Sequence, residues 1–275
     1  MADVQKIAST TNARIKALVK LRRAGARREA GVLIAEGMRE VERALGAGLE
    51  PTAWYVCPGV LGWDVESIVE SLPGLRQAAG FELGEAALAK ASYREHPEGL
   101  IATFRLPMWE PATLLADASA SAVWVVAAGW EKPGNLGALA RSAEAMGVEG
   151  IIVAGGRCDP WNPNAIRAST GAVFSLPILD MTDDDARTTL GEHGLRIIAA
   201  TDEAPTPCDA ADLSGKVAIV IGTEDAGLER VWREAADLAV SIPMVGRLTD
   251  SLNASVSGGI MLYECLRQRR REAGA

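Results

Sequence analysis

Three polar segments in the second half of the chain bring together side chains that can do chemistry. They are EKPGNLGALAR (131–141), VIGTEDAGLERVW (220–232) and IPMVGRLTDSLNAS (242–255). Their amides, carboxylates and hydroxyls can orient a polar substrate, and the arginine that ends the first segment can bind a phosphate. Each segment lies at the end of an apolar stretch, and α/β sheets bind their ligands at the ends of such strands. The sequence therefore predicts a ligand site built from these three segments.

Taken one at a time, the segments also have ordinary structural interpretations. Asn135 can cap the helix that follows it, and Glu224 can close a tight turn before Gly227. Ser251 and Asn253 can begin the last helix. The second segment contains neither GxGxxG nor GxxxxGK[ST], so it is not one of the familiar nucleotide-binding loops. The residues alone leave both the structural and the functional interpretation open.

Composition narrows the class of protein. The chain has 275 residues, of which 48% are hydrophobic, and a formal net charge of -8. This acidic total argues against a surface that is basic throughout, but it permits a local basic patch for nucleic acid. Four dispersed cysteines and two histidines support neither a disulfide framework nor a structural zinc site, so we expect no metal. Without a membrane-spanning run or a signal-peptide core, the expected location is cytoplasmic, with no membrane partner.

The second half has the pattern of a layered α/β domain. Continuous apolar runs, as parallel strands covered on both faces require, occur in SAVWVVAAGW, GIIVAG, LRIIAAT and KVAIVIG. The segment NLGALARSAEAMG predicts a helix after the first of these strands. Its predicted inward face consists of Leu136, Leu139, Ala140 and Ala143. We therefore assign residues 119–275 to one domain with a parallel sheet.

The first half alternates strands and helices over a shorter length. Strands are predicted at 32–35, in TAWYVCPG and in GLIATFRLP, and a helix is predicted at 38–45. These elements indicate a smaller α/β domain over residues 1–106. Residues 107–118 include two prolines and have no clear period, which indicates a linker.

Residues 12–28 carry seven basic side chains and no acidic one. An apolar stripe on the same stretch is formed by Ile15, Leu18, Val19 and Leu21. The pattern predicts one amphipathic helix with a basic outer face. This helix is either a solvated charged helix or an RNA-binding surface. The candidate RNA contacts are Arg22, Arg23, Arg27 and Arg28.

The order and spacing of the three polar segments resemble a known family. The patterns N-x-G-x-x-x-R, I-G-x-E-x-x-G and I-P-M followed by S-L-N-x-S are similar to the three motifs of the SpoU (TrmH-like) RNA ribose methyltransferases of the SPOUT superfamily. Here they occupy residues 135–141, 221–227 and 242–255. In the first half, IASTTNARIKALVKL and GVLIAEGMREVERAL resemble the ribosomal-protein-L30e-like substrate-binding domain that often precedes the catalytic domain.

The resemblance implies a fold, a cofactor and an assembly. It implies a trefoil knot in the C-terminal parallel-sheet domain, an exception to the rule against threaded chains. It also implies that S-adenosylmethionine binds within the knot and that the catalytic domains form a homodimer. By position, the implied cofactor contacts are Gly222, Ile242, Leu252 and, less directly, Thr201. Without the resemblance, Ile242 and Leu252 would be assigned to an ordinary core.

The resemblance also implies roles in catalysis. In the family, the arginine of the first motif, here Arg141, is proposed to deprotonate the ribose 2'-hydroxyl with the help of a substrate phosphate. A guanidinium stays protonated in proteins, so we expect Arg141 to bind that phosphate and to stabilise the alkoxide as it forms. The implied residues that orient the arginine and the ribose are Asn135, Glu224, Ser251 and Asn253.

The chain departs from the family pattern in one loop. The loop at 247–250 is one residue longer than the commonest family form, which leaves its geometry open. Arg167 and Ser169 are candidates to contact RNA or a partner subunit, and a structural role is an equal alternative.

The L30e-like half favours ribosomal RNA over transfer RNA as the substrate, by analogy. The other interpretations are a transfer RNA ribose methyltransferase, a non-catalytic RNA-binding factor in ribosome assembly, and a small-molecule enzyme.

Overall fold

The computed structural model describes residues 4–246, 248, 251–272 and 274, with Glu272 described by its backbone alone. The chain divides into two compact units. The first unit consists of residues up to Met108 together with Trp161–Ser175. The second unit consists of Trp109–Pro160 and the residues from Leu176 onward.

Strands and helices alternate along most of the described chain. The strands, in chain order, are β1 (Gln5–Ile7), β2 (Val32–Glu36), β3 (Pro51–Val56), β4 (Ala79–Leu83), β5 (Leu100–Arg105), β6 (Val123–Ala128), β7 (Gly150–Ala154), β8 (Ile178–Met181), β9 (Arg196–Ala200), β10 (Val217–Ile221) and β11 (Leu238–Val240). The helices are α1 (Ala13–Lys20), α2 (Ala24–Ala30), α3 (Met38–Gly46), α4 (Pro58–Leu61), α5 (Val65–Ser71), α6 (Glu85–Ala91), α7 (Pro111–Ala116), α8 (Pro133–Ala145), α9 (Pro163–Ala168), α10 (Asp183–Glu192), α11 (Arg230–Ala235) and α12 (Ala254–Glu272).

The first unit contains a mixed sheet with the strand order β1-β4-β3-β5-β2. Strands β1, β4 and β3 run parallel, whereas β5 is antiparallel to both β3 and β2. Helix α1 packs on this sheet through the fully buried Ile15 and the nearly buried Leu18, which join a core with Phe81 and Ile101. The predicted strands at 32–35, in TAWYVCPG and in GLIATFRLP are therefore confirmed as β2, β3 and β5.

The second unit contains a parallel sheet with the strand order β11-β9-β10-β6-β7-β8. All of its strand pairs are parallel, as the continuous apolar runs predict. Every residue of β6, β7 and β10 is buried, as is typical of central strands in a parallel sheet. Together with the mixed sheet of the first unit, this parallel sheet confirms the predicted α/β fold class. The knot stays a prediction.

Helix α8 buries the side that the sequence predicts. Leu136, Leu139, Ala140 and Ala143 are each fully buried. Helix α12 packs against α8, and a Cβ added to Gly258 would lie 2.5 Å from the Cδ1 of Leu139. A glycine at this position therefore lets the two helices approach closely.

The predicted basic helix over residues 12–28 is two helices, α1 and α2, separated by residues 21–23. Arg27 is only 1% exposed, and its Nη1 donates to the backbone oxygen of Leu21 at 2.5 Å. Because this bond uses the carbonyl at the break, Arg27 supports the turn between the helices instead of contacting RNA. The prediction for Arg27 is therefore wrong, whereas Arg22, Arg23 and Arg28 are exposed.

The structure differs from the predicted domain division at two places, the linker at 107–118 and the segment 161–175. The predicted linker contains helix α7, whose Leu115 is fully buried in the core of the second unit. Residues 161–175 lie in the predicted catalytic domain by sequence but belong to the first unit. There the Nη1 of Arg43 donates to the Oγ1 of Thr170 at 2.7 Å, and the Nδ2 of Asn164 donates to the hydroxyl of Tyr93 at 3.1 Å. Where the independently folding domains begin and end stays a prediction.

Within the same segment, the two candidate contact residues differ. Ser169 is fully buried, and its hydroxyl donates to the backbone oxygen of Ile166 at 2.8 Å. These contacts support the structural role for Ser169 over contact with RNA. Arg167 is exposed on α9. No helix in the described part of the chain is long and apolar enough to cross a membrane.

We predict that Arg27→Ala destabilises the protein, because it removes a buried, charged hydrogen-bond donor. The free energy of unfolding should fall by about 2 kcal/mol, as measured by urea titration. Arg23→Ala is the matched control, because Arg23 is exposed and its side chain does not cap α2. Equal stability of the two variants would contradict the structural role of Arg27.

Candidate functional site

The carboxylate of Glu224 accepts hydrogen bonds from the other two motif segments. Its Oε1 accepts from the side-chain Nδ2 of Asn135 at 2.7 Å and from the backbone N–H of Ala254 at 3.4 Å. The Nδ2 of Asn253 donates to the same Oε1 and also to the Oδ1 of Asn135, the latter at 3.2 Å. We call Asn135, Glu224 and Asn253 the carboxylate hub. The outermost members of this hub are 118 residues apart in the sequence.

Lys132 forms an ion pair with the same carboxylate. Its Nζ lies 2.7 Å from the Oε2 of Glu224, the oxygen that the amides leave unused. The hydrogen bond from Lys132, followed by that from Asn135, lowers the pKa of Glu224 below its ordinary value. The same bond raises the pKa of Lys132. The pair is therefore ionised at neutral pH.

The loop after β10 holds Glu224 in place through backbone contacts. The backbone N–H of Thr223 donates to the oxygen of Gly227 at 3.0 Å, and the reverse bond measures 3.1 Å. Gly227 has a φ of 64°, which favours glycine. A Cβ added to Gly222 would lie 2.2 Å from the oxygen of Gly227, so this tight loop excludes any side chain there.

A buried tryptophan fixes the strand end from which this loop starts. The indole Nε1 of Trp130 donates to the backbone oxygens of Ile221 at 3.0 Å and Gly222 at 2.9 Å. Trp130 follows β6, the neighbour of β10 in the sheet. The ends of two adjacent strands are thus tied together beneath the carboxylate hub.

The two asparagines of the hub have different relations to their helices. Helix α8 begins at Pro133, so Asn135 lies in its first turn and does not cap it. Its amide is therefore available to Glu224. Asn253 does cap α12, because its Oδ1 accepts from the backbone N–H groups of Ser255 at 3.0 Å and Val256 at 3.4 Å. The amide nitrogen of Asn253 is then directed toward the hub.

The structure brings together three of the five predicted catalytic residues. Ser251 is exposed and lines the cavity that begins beside Glu224. Arg141 is exposed on α8, and within the described part of the chain its side chain makes no polar contact with the carboxylate hub.

A cavity of about 460 Å³ lies next to the hub at the carboxyl ends of β9 and β10. All four residues predicted to bind the cofactor line it, namely Thr201, Gly222, Ile242 and Leu252. Apolar side chains from Ile221 and Leu228 and carboxylates from Asp202, Glu203 and Asp225 also line it. Strand β11 ends at Val240, two residues before Ile242.

The chemistry of this cavity fits S-adenosylmethionine. The apolar side chains can cover a purine ring, and the carboxylates can attract the positive charges of a sulfonium and an ammonium group. Because Gly222 lacks a side chain, the ligand can reach the backbone at the end of β10. Among the described residues, no group of three or more His, Cys, Asp or Glu side chains is arranged to hold a metal ion.

Two contributors to the site were not predicted from the sequence. Lys132 has the appearance of an ordinary solvated lysine, and Trp130 that of a strand residue. The available signals were the position of Lys132 in the first polar segment and the position of Trp130 at the end of an apolar run. The prediction of a longer loop at 247–250 concerns Arg247, Thr249 and Asp250, which lie outside the described residues.

Comparison with known proteins adds independent findings. The sequence profile of the SpoU rRNA Methylase family matches residues 122–263, and the profile of the MRM3-like substrate binding domain matches residues 12–102. A 23S rRNA (guanosine-2'-O-)-methyltransferase, RlmB of Nitrosomonas europaea, is 40% identical over 164 residues. The matched stretch is 59% of this chain and 62% of RlmB, which is less than two thirds of that relative's length.

Solved structures resemble nearly the whole chain. The crystal structure of an RNA 2'-O ribose methyltransferase is 41% identical, with a TM-score of 0.81 over 96% of this chain and 99% of the other. An rRNA methyltransferase from Sinorhizobium meliloti, crystallised with bound AdoMet, is 28% identical, with a TM-score of 0.84 over 96% of this chain and 98% of the other. Both units of the fold therefore have a solved counterpart.

We predict that Gly222→Ala weakens S-adenosylmethionine binding, because the added methyl collides with the backbone of Gly227 and displaces the loop. The Kd measured by calorimetry should rise about tenfold or more, since overpacking of this kind costs about 1–3 kcal/mol. Gly191→Ala is the control, because a Cβ at Gly191 meets no atom within 4 Å. An unchanged affinity of Gly222→Ala for S-adenosylmethionine would show that this loop is not part of the cofactor site.

Proposed function

Because the chain belongs to the SpoU rRNA Methylase family, we propose that it is an S-adenosylmethionine-dependent enzyme that methylates a ribose 2'-hydroxyl of ribosomal RNA. The observation that carries this proposal is the carboxylate hub beside a cavity lined by Thr201, Gly222, Ile242 and Leu252. The named activity of RlmB, on 23S ribosomal RNA, supports the choice of substrate. The alternative of a small-molecule enzyme does not explain why residues 12–102 match the profile of the MRM3-like substrate binding domain.

The reaction needs an oxygen nucleophile held in line with a methyl group. When bound, S-adenosylmethionine supplies a methyl on a positive sulfur; the 2'-oxygen forms the new bond to carbon while the carbon–sulfur bond breaks and sulfur keeps the electron pair. The 2'-proton leaves to solvent or to a substrate phosphate. The residues of this chain serve the reaction by holding the ribose still and excluding other orientations.

Glu224 serves as a positioning group in this proposal and not as the general base. Its pKa is lowered, and both of its oxygens already accept hydrogen bonds. Such a carboxylate has little tendency to take a proton from a hydroxyl. Fixing the amides of Asn135 and Asn253 is the role that its contacts support. Ser251 and these amides then orient the ribose.

Arg141 supplies the positive charge for the RNA. Its exposed guanidinium is suited to bind the phosphate next to the target ribose and to stabilise the alkoxide as it forms. Arg22, Arg23 and Arg28 of the first unit and Arg167 on α9 add exposed positive charge for the RNA backbone. An acidic protein can therefore still bind RNA through local patches.

A homodimer is part of the same proposal. Val256, Ile260 and Tyr263 are 50%, 37% and 58% exposed and form an apolar stripe at i, i+4 and i+7 of α12. The residues of α12 that pack within the chain, such as Met261 and Leu262, are buried. Ser142, next to Arg141, lies beside Gly259 of α12. A second copy covering the stripe would thus also come close to Arg141.

We predict that the purified protein transfers labelled methyl from S-adenosylmethionine to unmodified ribosomal RNA at one position, which then resists alkaline cleavage. Arg141→Ala should lose turnover while its affinity for the cofactor stays within about threefold, because the side chain does not line the cavity. Unmodified transfer RNA is tested in parallel.

If only transfer RNA is labelled, the protein is a transfer RNA methyltransferase and the proposed ribosomal RNA substrate is wrong. No label on either RNA, despite cofactor binding, would overturn the enzymatic proposal in favour of a non-catalytic RNA-binding factor. Normal methylation by Arg141→Ala would remove that residue from the mechanism.

We predict that Ile260→Asp converts a dimer into a monomer, because it places a charge in the middle of the apolar stripe. Sedimentation at micromolar concentration measures the change. Val60→Asp is the control, since Val60 is a 41% exposed apolar residue of the first unit. A wild-type monomer, or an Ile260→Asp dimer, would contradict the proposed interface.

A further inference from the structure

We propose that Lys132 is a positioning residue of the methyl-transfer site, which acts by fixing the rotation of the Glu224 carboxylate. The inference rests on the proposed function and deepens it. Lys132 is not one of the motif residues that the sequence pattern singles out, and it makes its contact from outside the cavity lining. Its effect on the reaction would therefore pass through Glu224.

The two carboxylate oxygens of Glu224 accept hydrogen bonds from different donors. Oε1 accepts from Asn135, Asn253 and the backbone of Ala254, whereas Oε2 accepts from Lys132. The terminal torsion of a glutamate is soft, so a carboxylate held at one oxygen can still turn. A second bond on the other oxygen stops this rotation. Lys132 thus keeps Oε1 directed at both hub amides.

The backbone at Lys132 is constrained, although its side chain is long. Lys132 precedes Pro133 and has an extended backbone, with φ −86° and ψ 107°. A residue before proline is kept out of the helical region, and Pro133 is fixed at the first position of α8. The side chain therefore starts from a defined point opposite the loop that carries Glu224.

The exposure of the pair distinguishes a positioning role from a stabilising one. The side chain of Lys132 is 63% exposed and that of Glu224 is 22% exposed. Ion pairs in such surroundings contribute little to the stability of the fold. We therefore expect the loss of Lys132 to change the rate of methyl transfer more than it changes the melting temperature.

The hydrogen bond from Lys132 also lowers the pKa of Glu224. Among the groups that act on Glu224, the bond from Lys132 is the first cause of its lowered pKa; the bond to Glu224 is in turn the first cause of the raised pKa of Lys132, to which the charge of Asp225 adds. Protonated Glu224 would lose an acceptor for the hub amides. Removing Lys132 should raise the pKa of Glu224, so that activity is lost at a higher pH as the solution is acidified.

The test compares Lys132→Met, which keeps the length of the side chain without its charge, with Lys132→Arg and with Lys6→Met. Lys6 forms another exposed ion pair, with Glu82 at 3.2 Å in the first unit, and serves as the matched control. In Lys132→Met the single-turnover rate at saturating RNA and cofactor should fall about tenfold, with cofactor affinity within about threefold of wild type. Lys132→Arg should recover part of the rate, and Lys6→Met should behave as wild type.

A combined variant tests whether the effect passes through Glu224. If it does, Lys132→Met should lower the rate of Glu224→Gln by less than about twofold, because the partner is already lost. A full tenfold loss in that background would overturn the proposal. A weakened RNA affinity with an unchanged saturated rate would also overturn it, since Lys132 would then be an RNA phosphate contact.

A carbon-13 NMR titration of the Glu224 side-chain carboxyl gives a readout that does not depend on activity. The pKa should be higher in Lys132→Met than in wild type, with no change in Lys6→Met. An unchanged pKa would overturn the proposal. If the wild-type protein methylates no RNA, the proposed function fails on its own test, whereas the titration still decides whether Lys132 controls Glu224.

Discussion

The site depends on one carboxylate with more donors than a surface glutamate normally has. Glu224 receives side-chain nitrogens from Lys132, Asn135 and Asn253 and a backbone N–H from Ala254. These donors come from the starts of α8 and α12, two helix N-termini where negative charge is favourable. The same carboxylate therefore joins side chains at the start of α8 to a backbone N–H at the start of α12 and sets the geometry of the polar groups beside the cavity.

Contacts at the ends of two central strands hold the loop beneath the carboxylate. Trp130 ties the ends of β6 and β10 together, and the paired backbone of Thr223 and Gly227 leaves no room for a side chain at Gly222. Gly258 lets α12 lie close to α8, which brings Asn253 within reach of Asn135. Gly258, which follows the third motif on α12, thus has a packing reason.

The parts that the sequence could predict are those with a strong local signal. Strands buried on both faces, such as β7 and β10, have continuous apolar runs, and the inward side of α8 follows helical spacing. The short edge strand β11, by contrast, is only partly buried and has no such signal. Arg27 is buried by the packing of the fold, and Lys132 pairs with a residue 92 positions away in the chain, so charge patterns alone predict neither feature.

The path of residues 161–175 has a consequence for how such a protein could evolve. The segment leaves the second unit after Pro160, packs in the first unit through Asn164 and Thr170, and returns at Leu176. A recombination event that exchanged only the amino-terminal part of the gene would leave this segment facing a surface that lacks Arg43 and Tyr93. A first unit taken from another protein would therefore have to supply its own hydrogen-bond partners for Thr170 and Asn164.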